Sequence, residues 1–420
     1  MSGLFSQVGV AKEVRASVAT TAGVGSGAAI PSIATITTAS AHSLRAGDVV
    51  TIAGCTPSGY NGVWAVSTVP STTTFTIQTG TVTLAAITVQ GTVVATAFGV
   101  STTPTRFFEF VQESMKSMRK RIESKSIASG NRVMTATKFA VFEDSAAGDL
   151  TLEVTSKGFG YWLEGMLGTV ASGTLTDSSY THTATLGPLR GKSMTYQKLL
   201  PQAAVSGGVN TVATASAGTV LTYLGCKVDK WELSNAVDGI LTFKVSLIGR
   251  NEVINVPLAA ASYPTGSEML SFIGGTVTID GTAVASVKGI TISCDNKLAT
   301  RRYVGPASLN GEPLESDLRE IKWSLDMEFV DTSMLTKYQA TTAAGTLASI
   351  VCRWAAPTLI GSTTYPSLTV TMPNCRVDGE TPTINGADLL QIKVEGPALN
   401  TSTTSADAIT IAYVTTDSTP

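Results

Sequence analysis

The sequence predicts a mainly β protein with one amphipathic helix and a separate small β-barrel or sandwich. Apolar and polar residues alternate through residues 321–329 (IKWSLDMEF) and residues 241–247 (LTFKVSL), which is the period of two of a strand with one buried face. Only 14% of the residues are charged, against roughly 25% in an average soluble protein. Thr, Ser, Ala and Gly fill the difference, and such small residues suit pleated sheets, tight turns and close subunit contacts.

The bulk properties allow two or three domains and exclude several classes of protein. The chain has 420 residues, 43% of them apolar, so it is globular and long enough for more than one core. A net charge of −2 gives no broad attraction for nucleic acid or for an anionic membrane. No apolar run approaches the ~20 residues of a spanning helix, and residues 1–17 lack the apolar core of a secretory signal. We therefore expect folding in a cytosol without membrane insertion.

The cysteines predict free thiols. Their number is odd, their spacing is wide, and no CxxC pair occurs among Cys55, Cys226, Cys294, Cys352 and Cys375. Small buried thiols in a reducing compartment fit this pattern better than a disulfide framework does.

A stretch with almost no charge marks a separate module. Residues 16–105 contain two charged residues, Arg45 and Asp48, whereas residues 106–125 contain nine. Turn signals rich in Gly, Pro, Asn and Ser separate short strand patterns at residues 32–38, 48–52, 63–69, 75–78 and 91–95. This spacing predicts a compact β-barrel or sandwich within residues 18–97.

One amphipathic helix stands out among the strands. An apolar stripe at helical spacing, suited to packing against a sheet, is formed by Phe159, Trp162, Leu163, Met166 and Leu167. We expect Ser156 to cap the start of this helix and Gly168 to end it. A second, shorter helix is expected after Asp331.

No catalytic, metal or cofactor site is predicted, and we expect no enzyme. His42 and His182 are the only histidines, and neither has another potential ligand beside it, so we interpret both as exposed or edge-strand residues. Residues 23–28 (GVGSGA) match the GxGxxA pattern of dinucleotide sites. A proline and a β-type run follow instead of a helix, which favours a flexible linker.

A basic run lies before the helix, in residues 113–125 (ESMKSMRKRIESK). Its cations are Lys116, Arg119, Lys120, Arg121 and Lys125. Three interpretations stay open: a DNA-binding patch, a solvated charged face, or a mobile loop whose charges find partners on a neighbouring subunit. The run contains no aromatic residue, which argues against stacking on bases.

Several segments, taken in order, resemble the tail tube proteins of siphophages. Residues 7–15 (QVGVAKEVR) and 103–110 (TPTRFFEF), joined across the insert, resemble the opening of that family. Residues 115–133 (MKSMRKRIESKSIASGNRV) resemble its charged loop. Residues 148–168 (GDLTLEVTSKGFGYWLEGMLG) resemble its strand followed by an amphipathic helix that ends in LG, and a looser similarity runs through residues 224–250 and 308–329.

The resemblance implies a fold. It implies two β-sheets packed face to face with one flanking helix, built from residues 1–17 and 98–400. Residues 32–78 resemble a small β-barrel repeat of phage structural proteins, so residues 18–97 would form an inserted barrel that projects outward. Residues 401–420 would be a Thr/Ser-rich C-terminal extension.

The resemblance also implies an assembly. Six subunits would form a ring, and rings would stack into the tail tube of the virion after assembly in the host cytoplasm. The implied partners are further copies of the chain, the tape-measure, tail-tip and tail-terminator proteins, and viral double-stranded DNA in transit through the lumen during ejection. Open strand edges would pair across the ring. Because each phosphate neutralised by Lys or Arg adds affinity, we expect a neutral or acidic lumen face.

Two other classes of function stay open. A tail-tip or surface adhesin could use the barrel to bind a host glycan, with the loop at residues 57–61 as the contact. A hydrolase would need a positioned carboxylate pair, and the sequence shows none. Rings or tubes in micrographs would favour the structural subunit, and discrete monomers or trimers the adhesin.

Overall fold

The structure is a computed structural model, and the chain in it forms two compact units. One unit, called the sheet unit, comprises Met1–Val10, Pro104–Leu189 and Tyr196–Pro420, and the other, called the barrel unit, comprises Ala11–Thr103 and Arg190–Thr195. The structure describes residues 6–14, 17–26, 32–42, 44, 46, 48–79, 84–95, 97–126, 132–133, 136–201, 204–206, 209–211, 218–254, 256–302, 310–342, 347–379, 381–382, 384, 389–400 and 408–420.

The described elements are numbered in chain order. The first strands are β1 (Val8–Lys12), β2 (Val18–Ser26), β3 (Ser32–Thr38), β4 (Val49–Ala53), β5 (Gly62–Thr68), β6 (Thr74–Thr79), β7 (Thr92–Ala95), β8 (Arg106–Phe108), β9 (Gln112–Glu113), β10 (Lys116–Glu123) and β11 (Phe139–Glu153). Helix α1 (Gly160–Leu167) leads to β12 (Gly168–Ser172), β13 (Tyr180–Leu186), β14 (Met194–Pro201), β15 (Ala204–Ser206), β16 (Val209–Thr211), β17 (Gly218–Ala236), β18 (Thr242–Gly249), β19 (Asn251–Ile254), β20 (Gly275–Ile279), β21 (Thr282–Ala283), β22 (Val287–Asp295), β23 (Leu298–Arg301), β24 (Gly311–Glu315) and β25 (Glu320–Glu328). Helix α2 (Ser333–Gln339) precedes β26 (Leu347–Ala355), β27 (Ser367–Arg376), β28 (Asp378–Gly379), β29 (Gln391–Pro397) and β30 (Thr410–Thr415).

Six strands of the barrel unit close into a barrel. Their order is β2-β3-β6-β5-β4-β7, and β7 pairs back onto β2. The interior is filled by inward-facing apolar side chains, among them Ala34, Ile36, Val50, Ile52, Tyr60, Val66, Phe75 and Ile77. The small closed barrel predicted from the sequence is confirmed.

The linker predicted at residues 23–28 is wrong for the part that is described. Residues 23–26 belong to β2, and residues 27 and 28 lie outside the described residues. The glycines mark close packing: a Cβ on Gly23 would lie 2.4 Å from Cδ1 of Ile87, and a Cβ on Gly25 would lie 2.7 Å from the backbone nitrogen of Leu84. Glycine therefore lets the chain at Leu84 and Ile87 lie directly against this strand.

Two antiparallel sheets form most of the sheet unit. The larger has the order β10-β11-β18-β17-β22-β25-β29-β28, with β1, β8, β9, β14 and β19 attached, and the smaller has the order β12-β13-β30-β27-β26-β20-β21. The alternation predicted in β25 is confirmed, since it buries Ile321, Trp323, Leu325 and Met327 and leaves the residues between them on the other face. The mainly β fold class is likewise confirmed.

The two sheets share one core. The ring of Phe159 meets Phe243 of β18 at 5.2 Å and Tyr413 of β30 at 5.8 Å between ring centroids. Trp354 of β26 donates its Nε1–H to the Asn235 side-chain oxygen of β17 at 3.1 Å. These contacts join the inner faces of both sheets around the start of α1.

Helix α1 lies in this core with the predicted stripe buried. Each of Phe159, Trp162, Leu163, Met166 and Leu167 is at most 3% exposed. The helix ends at Gly168, whose φ is 100°, as predicted. The predicted cap at Ser156 is wrong, because the helix begins at Gly160 and the Ser156 hydroxyl accepts the N–H of Glu268 instead. The Asp417 carboxylate accepts the N–H of Gly158 at 2.7 Å just before the helix.

Both histidines are buried and neither lies in an edge strand, so the prediction of exposed or edge-strand side chains is wrong. His42, in the barrel unit, accepts the N–H of Leu44 at its Nδ1 (3.0 Å) and meets the ring of Phe75 edge-on. His182, in β13, bonds the Ser172 hydroxyl at 2.8 Å and the Asp417 carbonyl at 2.9 Å. Both ring nitrogens of His182 are thus hydrogen-bonded, which explains how this polar ring is tolerated inside, whereas Nε2 of His42 is buried without a hydrogen-bond partner among the described residues.

The chain near residue 410 lies inside the smaller sheet. Strand β30 pairs with β13 on one side and β27 on the other, and its Ile411 and Tyr413 are fully buried. This strand falls within the stretch predicted as an extension, of which residues 401–407 lie outside the described residues.

The second helix starts at Ser333, as predicted, and the Asp331 carboxylate accepts the Ser333 N–H at 2.8 Å.

Candidate assembly surfaces

The larger sheet has one buried face and one polar face. One row of neighbours across the polar side contains Thr151, Lys244, Glu232, Ser293 and Lys322, one from each of five adjacent strands. The polar face is defined as the outward residues of β11, β17, β18, β22, β25 and β29, together with Lys288 near the start of β22 and Lys297 just after its end. Its ionisable members are Asp149, Glu153, Lys230, Glu232, Lys244, Lys288, Asp295, Lys297, Glu320, Lys322, Asp326, Glu328, Lys393 and Glu395.

Every lysine of the polar face lies within 3.4 Å of a carboxylate. The pairs are Lys230–Asp295 (3.0 Å), Lys244–Asp149 (3.4 Å), Lys288–Glu328 (2.8 Å), Lys297–Asp295 and Lys297–Glu320 (both 3.2 Å), Lys322–Glu320 (2.8 Å) and Lys393–Glu395 (3.4 Å). Exposed pairs of this kind add little stability, about 0–1 kcal/mol each. Their consequence is electrostatic, because each cation already has an anion beside it.

The polar face is acidic overall. It carries eight carboxylates against six lysines, which leaves a net charge of −2. Hydrogen bonds from Lys322 and Lys297 lower the pKa of Glu320, so this carboxylate stays ionised throughout the neutral range. A phosphate that approached the face would have to compete with these carboxylates for every lysine.

A two-stranded ribbon extends from one end of the same sheet. Residues 146–153 of β11 pair with β18, whereas residues 139–145 continue beyond the sheet and pair with β10. Seven further residues at about 3.3 Å each span about 23 Å. The N–H of Ser124 bonds the carbonyl of Lys138 at 2.9 Å and lengthens the pairing. The ribbon is defined here as residues 116–126 and 138–145.

The cations of the basic run lie on this ribbon. Lys116, Arg119, Lys120 and Arg121 belong to β10 and not to a loop, and Lys125 follows the strand. The paired strand also carries carboxylates, so Arg119 lies 3.3 Å from Asp144 and Lys120 lies 2.9 Å from Glu143. The hydrogen bond from Lys120 lowers the pKa of Glu143.

The ribbon also exposes apolar side chains. Those at least 38% exposed are Met118, Ile122, Phe139, Val141 and Phe142, and Ile122 reaches 61%. A ribbon of two strands buries little of its own surface and is only marginally stable by itself. Exposed apolar side chains clustered in this way are typical of a contact surface.

A buried ion pair anchors the base of the ribbon. The Lys198 ammonium donates to both carboxylate oxygens of Glu113, at 2.9 and 3.1 Å, and also to the carbonyl of Met115. The Tyr223 hydroxyl donates to the same Met115 carbonyl at 3.1 Å. Gly148 allows the crossing, because a Cβ there would lie 2.4 Å from the Cα of Met115. These contacts therefore hold Met115 in place immediately before β10 begins.

A second contact stiffens the ribbon above its base. Arg302 donates to the Glu143 carboxylate at 2.8 Å and to the Phe142 carbonyl at 3.0 Å, and its guanidinium lies 5.1 Å from the Phe142 ring centroid. These partners are about 160 residues apart in the chain, and the pairs at the base are 83 to 108 apart. Sequence reasoning missed both sets because no local pattern links such distant residues.

The opposite border of the larger sheet is partly open. On its outer side β29 pairs with the two-residue strand β28 at Val394 and Glu395. Within the described chain, no strand runs alongside Gln391–Lys393 on that side. Such a border can accept a further strand.

The barrel loop singled out for glycan binding uses its polar groups internally. Tyr60 is fully buried, and its hydroxyl donates to the carbonyl of Ala85 at 2.8 Å. The Asn61 side chain accepts the N–H of Cys55 at 2.8 Å and donates to the carbonyl of the same residue at 2.9 Å. These two side chains are therefore engaged in holding the loop.

The described residues offer little for chemistry. The five cysteines are free and buried, as predicted, and burial raises the pKa of Cys294 and Cys352 to about 12, so both are poor nucleophiles. The described residues contain no cluster of three or more His, Cys, Asp or Glu side chains able to hold a metal ion. None of the helices described has the length and apolar character needed to cross a membrane.

Comparison with known proteins places this architecture in a family. A family model described as phage tail tube protein matches residues 91–398, nearly three-quarters of the chain. A search of curated proteins returned no significant match. The matched region includes the polar face, the ribbon and α1. The chain therefore belongs to the phage tail tube protein family and is a non-enzymatic structural protein of the virion tail.

Proposed function

We propose that six copies of the chain close into a ring and that rings stack into the tail tube of a siphophage, with the polar face lining the lumen. The acidic polar face on a sheet with open borders is the observation that carries this proposal. Double-stranded DNA in transit would meet a surface of net charge −2 in which each lysine is paired. A wall of this charge makes few contacts with phosphates, so it retains the DNA only weakly.

Neighbouring copies join through the borders of the larger sheet. The border at β10 and the border at β29 lie at opposite sides of the strand order, so copies in a ring can meet border to border. Pairing in a closed ring satisfies the backbone groups of both borders. Lys116, Arg119, Lys120, Arg121 and Lys125 then lie at the contact between subunits. The tape-measure, tail-tip and terminator proteins would bind the finished tube, which assembles in the host cytoplasm before ejection of the genome.

Electron microscopy of the purified protein tests this assembly. We expect hexameric rings or tubes with a central channel, in numbers that grow with concentration, because the open borders need partners. Negative staining and mass photometry across a concentration series would show it. Monomers at every concentration would contradict the proposal.

The barrel at residues 18–97 is proposed as a decoration outside the tube. It has its own core, and Val18 of β2 pairs with Val93 of β7, so the chain enters and leaves the barrel on adjacent strands. Replacing residues 18–97 with a short Gly/Ser linker should leave tube formation intact and reduce the outer diameter. The full-length protein, imaged alongside, is the control. Loss of tubes in a variant that still folds by circular dichroism would refute a peripheral barrel.

A further inference from the structure

One carboxylate joins two connections of the smaller sheet. Asp177 lies in the turn between β12 and β13, and residues 361–364 (GSTT) lie in the connection between β26 and β27. The Oδ1 atom of Asp177 accepts the N–H and the hydroxyl of Ser362, both at 2.7 Å. Its Oδ2 atom accepts the N–H of Thr363 at 3.0 Å, the hydroxyl of the same residue at 3.3 Å and the hydroxyl of Thr364 at 2.7 Å. Five donors from three successive residues therefore surround this carboxylate.

Each side of this contact is a tight turn of its own. Backbone hydrogen bonds in both directions between Thr176 and Ser179 close the turn around Asp177. Asp177 has a φ of 48°, a conformation that Asp adopts more readily than most residues do. On the other side, the N–H of Ile360 bonds the carbonyl of Thr364 at 2.9 Å. The carboxylate and its donors are therefore positioned by their own turns, so the contact costs little further ordering.

The loop holds this anion at close range and without a cation. A Cβ on Gly361 would lie 2.1 Å from the carbonyl oxygen of Asp177 and 2.4 Å from its Cγ, so only glycine allows the two turns to approach. The five donors are backbone N–H groups and hydroxyls. Their hydrogen bonds, first the one from the Ser362 N–H, hold the pKa of Asp177 well below its ordinary value. The carboxylate is therefore ionised throughout the neutral and mildly acidic range.

We propose that residues 361–364 form a carboxylate-binding site occupied by Asp177 of the same chain, and that this contact is a latch across the smaller sheet. Successive backbone N–H groups aimed at one point are a common site for anions. Each oxygen of the carboxylate has its own donors, which suits a carboxylate better than a single-atom anion such as chloride. When Asp177 is removed, a free carboxylate such as acetate can bind in its place. The latch forms within one subunit and does not depend on assembly of the tube.

The latch spans the end of β30. This strand lies between β13 and β27, and near its end Thr415 pairs with Tyr180 and Val414 pairs with Ser367. The turn that carries Asp177 leads directly into β13, and the loop that carries the five donors leads into β27. The contact therefore joins the two neighbours of β30 just beyond the end of that strand. A latch in this place keeps β30 paired on both sides.

Hydrogen–deuterium exchange of the full-length subunit at short labelling times tests the latch. Asp177→Gly removes the carboxylate and introduces a residue that accepts a positive φ. We expect the amides of residues 358–367 to exchange about tenfold faster, because loss of hydrogen bonds to a charged group is worth a factor of about that size. The amides of β30 should also exchange faster. Sodium acetate should restore slow exchange in this variant, whereas sodium chloride at the same ionic strength should not.

Asp331→Gly is the matched control, because Asp331 also accepts the N–H and the hydroxyl of a serine, Ser333, but only within its own turn. It should leave exchange in residues 358–367 unchanged, and an equal increase there would overturn the latch. Thr364→Val removes one of the five donors and should give a smaller increase than Asp177→Gly. Unchanged exchange in Asp177→Gly, or in Thr364→Val where Asp177→Gly does not fold, would also overturn the latch. Equal effects of acetate and chloride on Asp177→Gly would overturn the carboxylate site.

Discussion

Reversing three carboxylates of the polar face should convert a subunit with little affinity for duplex DNA into one that binds it. Glu153→Lys, Glu232→Lys and Asp326→Lys lie on three different strands, and none belongs to the lysine pairs described above. Each reversal changes the charge of the face by two, so the net charge rises from −2 to +4. Three new unpaired lysines can then each neutralise a phosphate.

The measurement is the salt dependence of binding. Fluorescence anisotropy of a short labelled duplex, with the subunit kept dilute enough to remain unassembled, should show tighter binding by the variant. Its plot of log K against log salt should be steeper by about 3, because each phosphate contact contributes about −0.9 to the slope. Glu153 and Asp326 are exposed and Glu232 is half-buried, and surface substitutions of this kind usually change the free energy of unfolding by about 0.5 kcal/mol or less.

A triple variant with Gln at the same three positions is the matched control. It removes the carboxylates without adding cations, so it should bind DNA more weakly than the Lys variant. If the unmodified subunit bound the duplex as tightly as the Lys variant, the polar face could not be the weakly binding lumen wall proposed above. If the Gln and Lys variants bound equally, the added cations would not be the cause.

Periodic features of the fold could be predicted from the sequence. The alternation of Ile321, Trp323, Leu325 and Met327 gave β25 its buried face, because one side of that strand packs on the core. The buried apolar stripe of α1 was predicted in the same way, from apolar residues at helical spacing. Local turn signals also located most strands of the barrel. In each case the pattern lies within one segment of about ten residues.

Features that depend on distant partners could not be predicted. Residues 116–123 were interpreted only as a run of charged residues. They form a strand because they pair with a strand that begins at Phe139 and that places carboxylates opposite Arg119 and Lys120. The end of β2 was interpreted as a linker because of its glycines, which in the structure allow close packing against Leu84 and Ile87. His182 was interpreted as an exposed or edge-strand residue because its partner at Asp417 lies 235 residues away. Contacts between residues far apart in the chain determine all three features, and a single sequence does not show which distant residues meet.

The residues alone did not predict an acidic face on the larger sheet, and the resemblance predicted only that the lumen would be neutral or acidic. Once the register is known, its origin is plain: the outward residue of each strand is Thr, Ser, Lys, Glu or Asp, and opposite charges fall on neighbouring strands, as with Lys244 and Glu232. Cross-strand neighbours of opposite charge stabilise a sheet modestly. The same arrangement leaves no described lysine of that face without a carboxylate.

Replacing Trp162 with Ala should cause the largest loss of stability among the single changes considered. The side chain is fully buried in α1, with its ring centroid 5.3 Å from that of Phe108 and 5.9 Å from that of Phe243. Removing so large a side chain from a packed core typically costs about 3–5 kcal/mol. Since domains are stable by about 5–15 kcal/mol, the sheet unit would lose much of its free energy of unfolding. Urea denaturation of the dilute subunit, followed by circular dichroism, measures the loss.

Phenylalanine at two tryptophan positions supplies the matched comparison. The Nε1–H of Trp162 has no hydrogen-bond partner among the described residues, whereas Trp231 donates its Nε1–H to the carbonyl of Met166 at 3.3 Å. Trp162→Phe therefore loses volume alone, and Trp231→Phe loses volume and a hydrogen bond worth about 1 kcal/mol. We expect Trp162→Phe to be the milder change by about that amount. Equal losses for Trp162→Ala and Trp162→Phe would mean that packing of the ring against Phe108 and Phe243 does not hold α1 between the sheets.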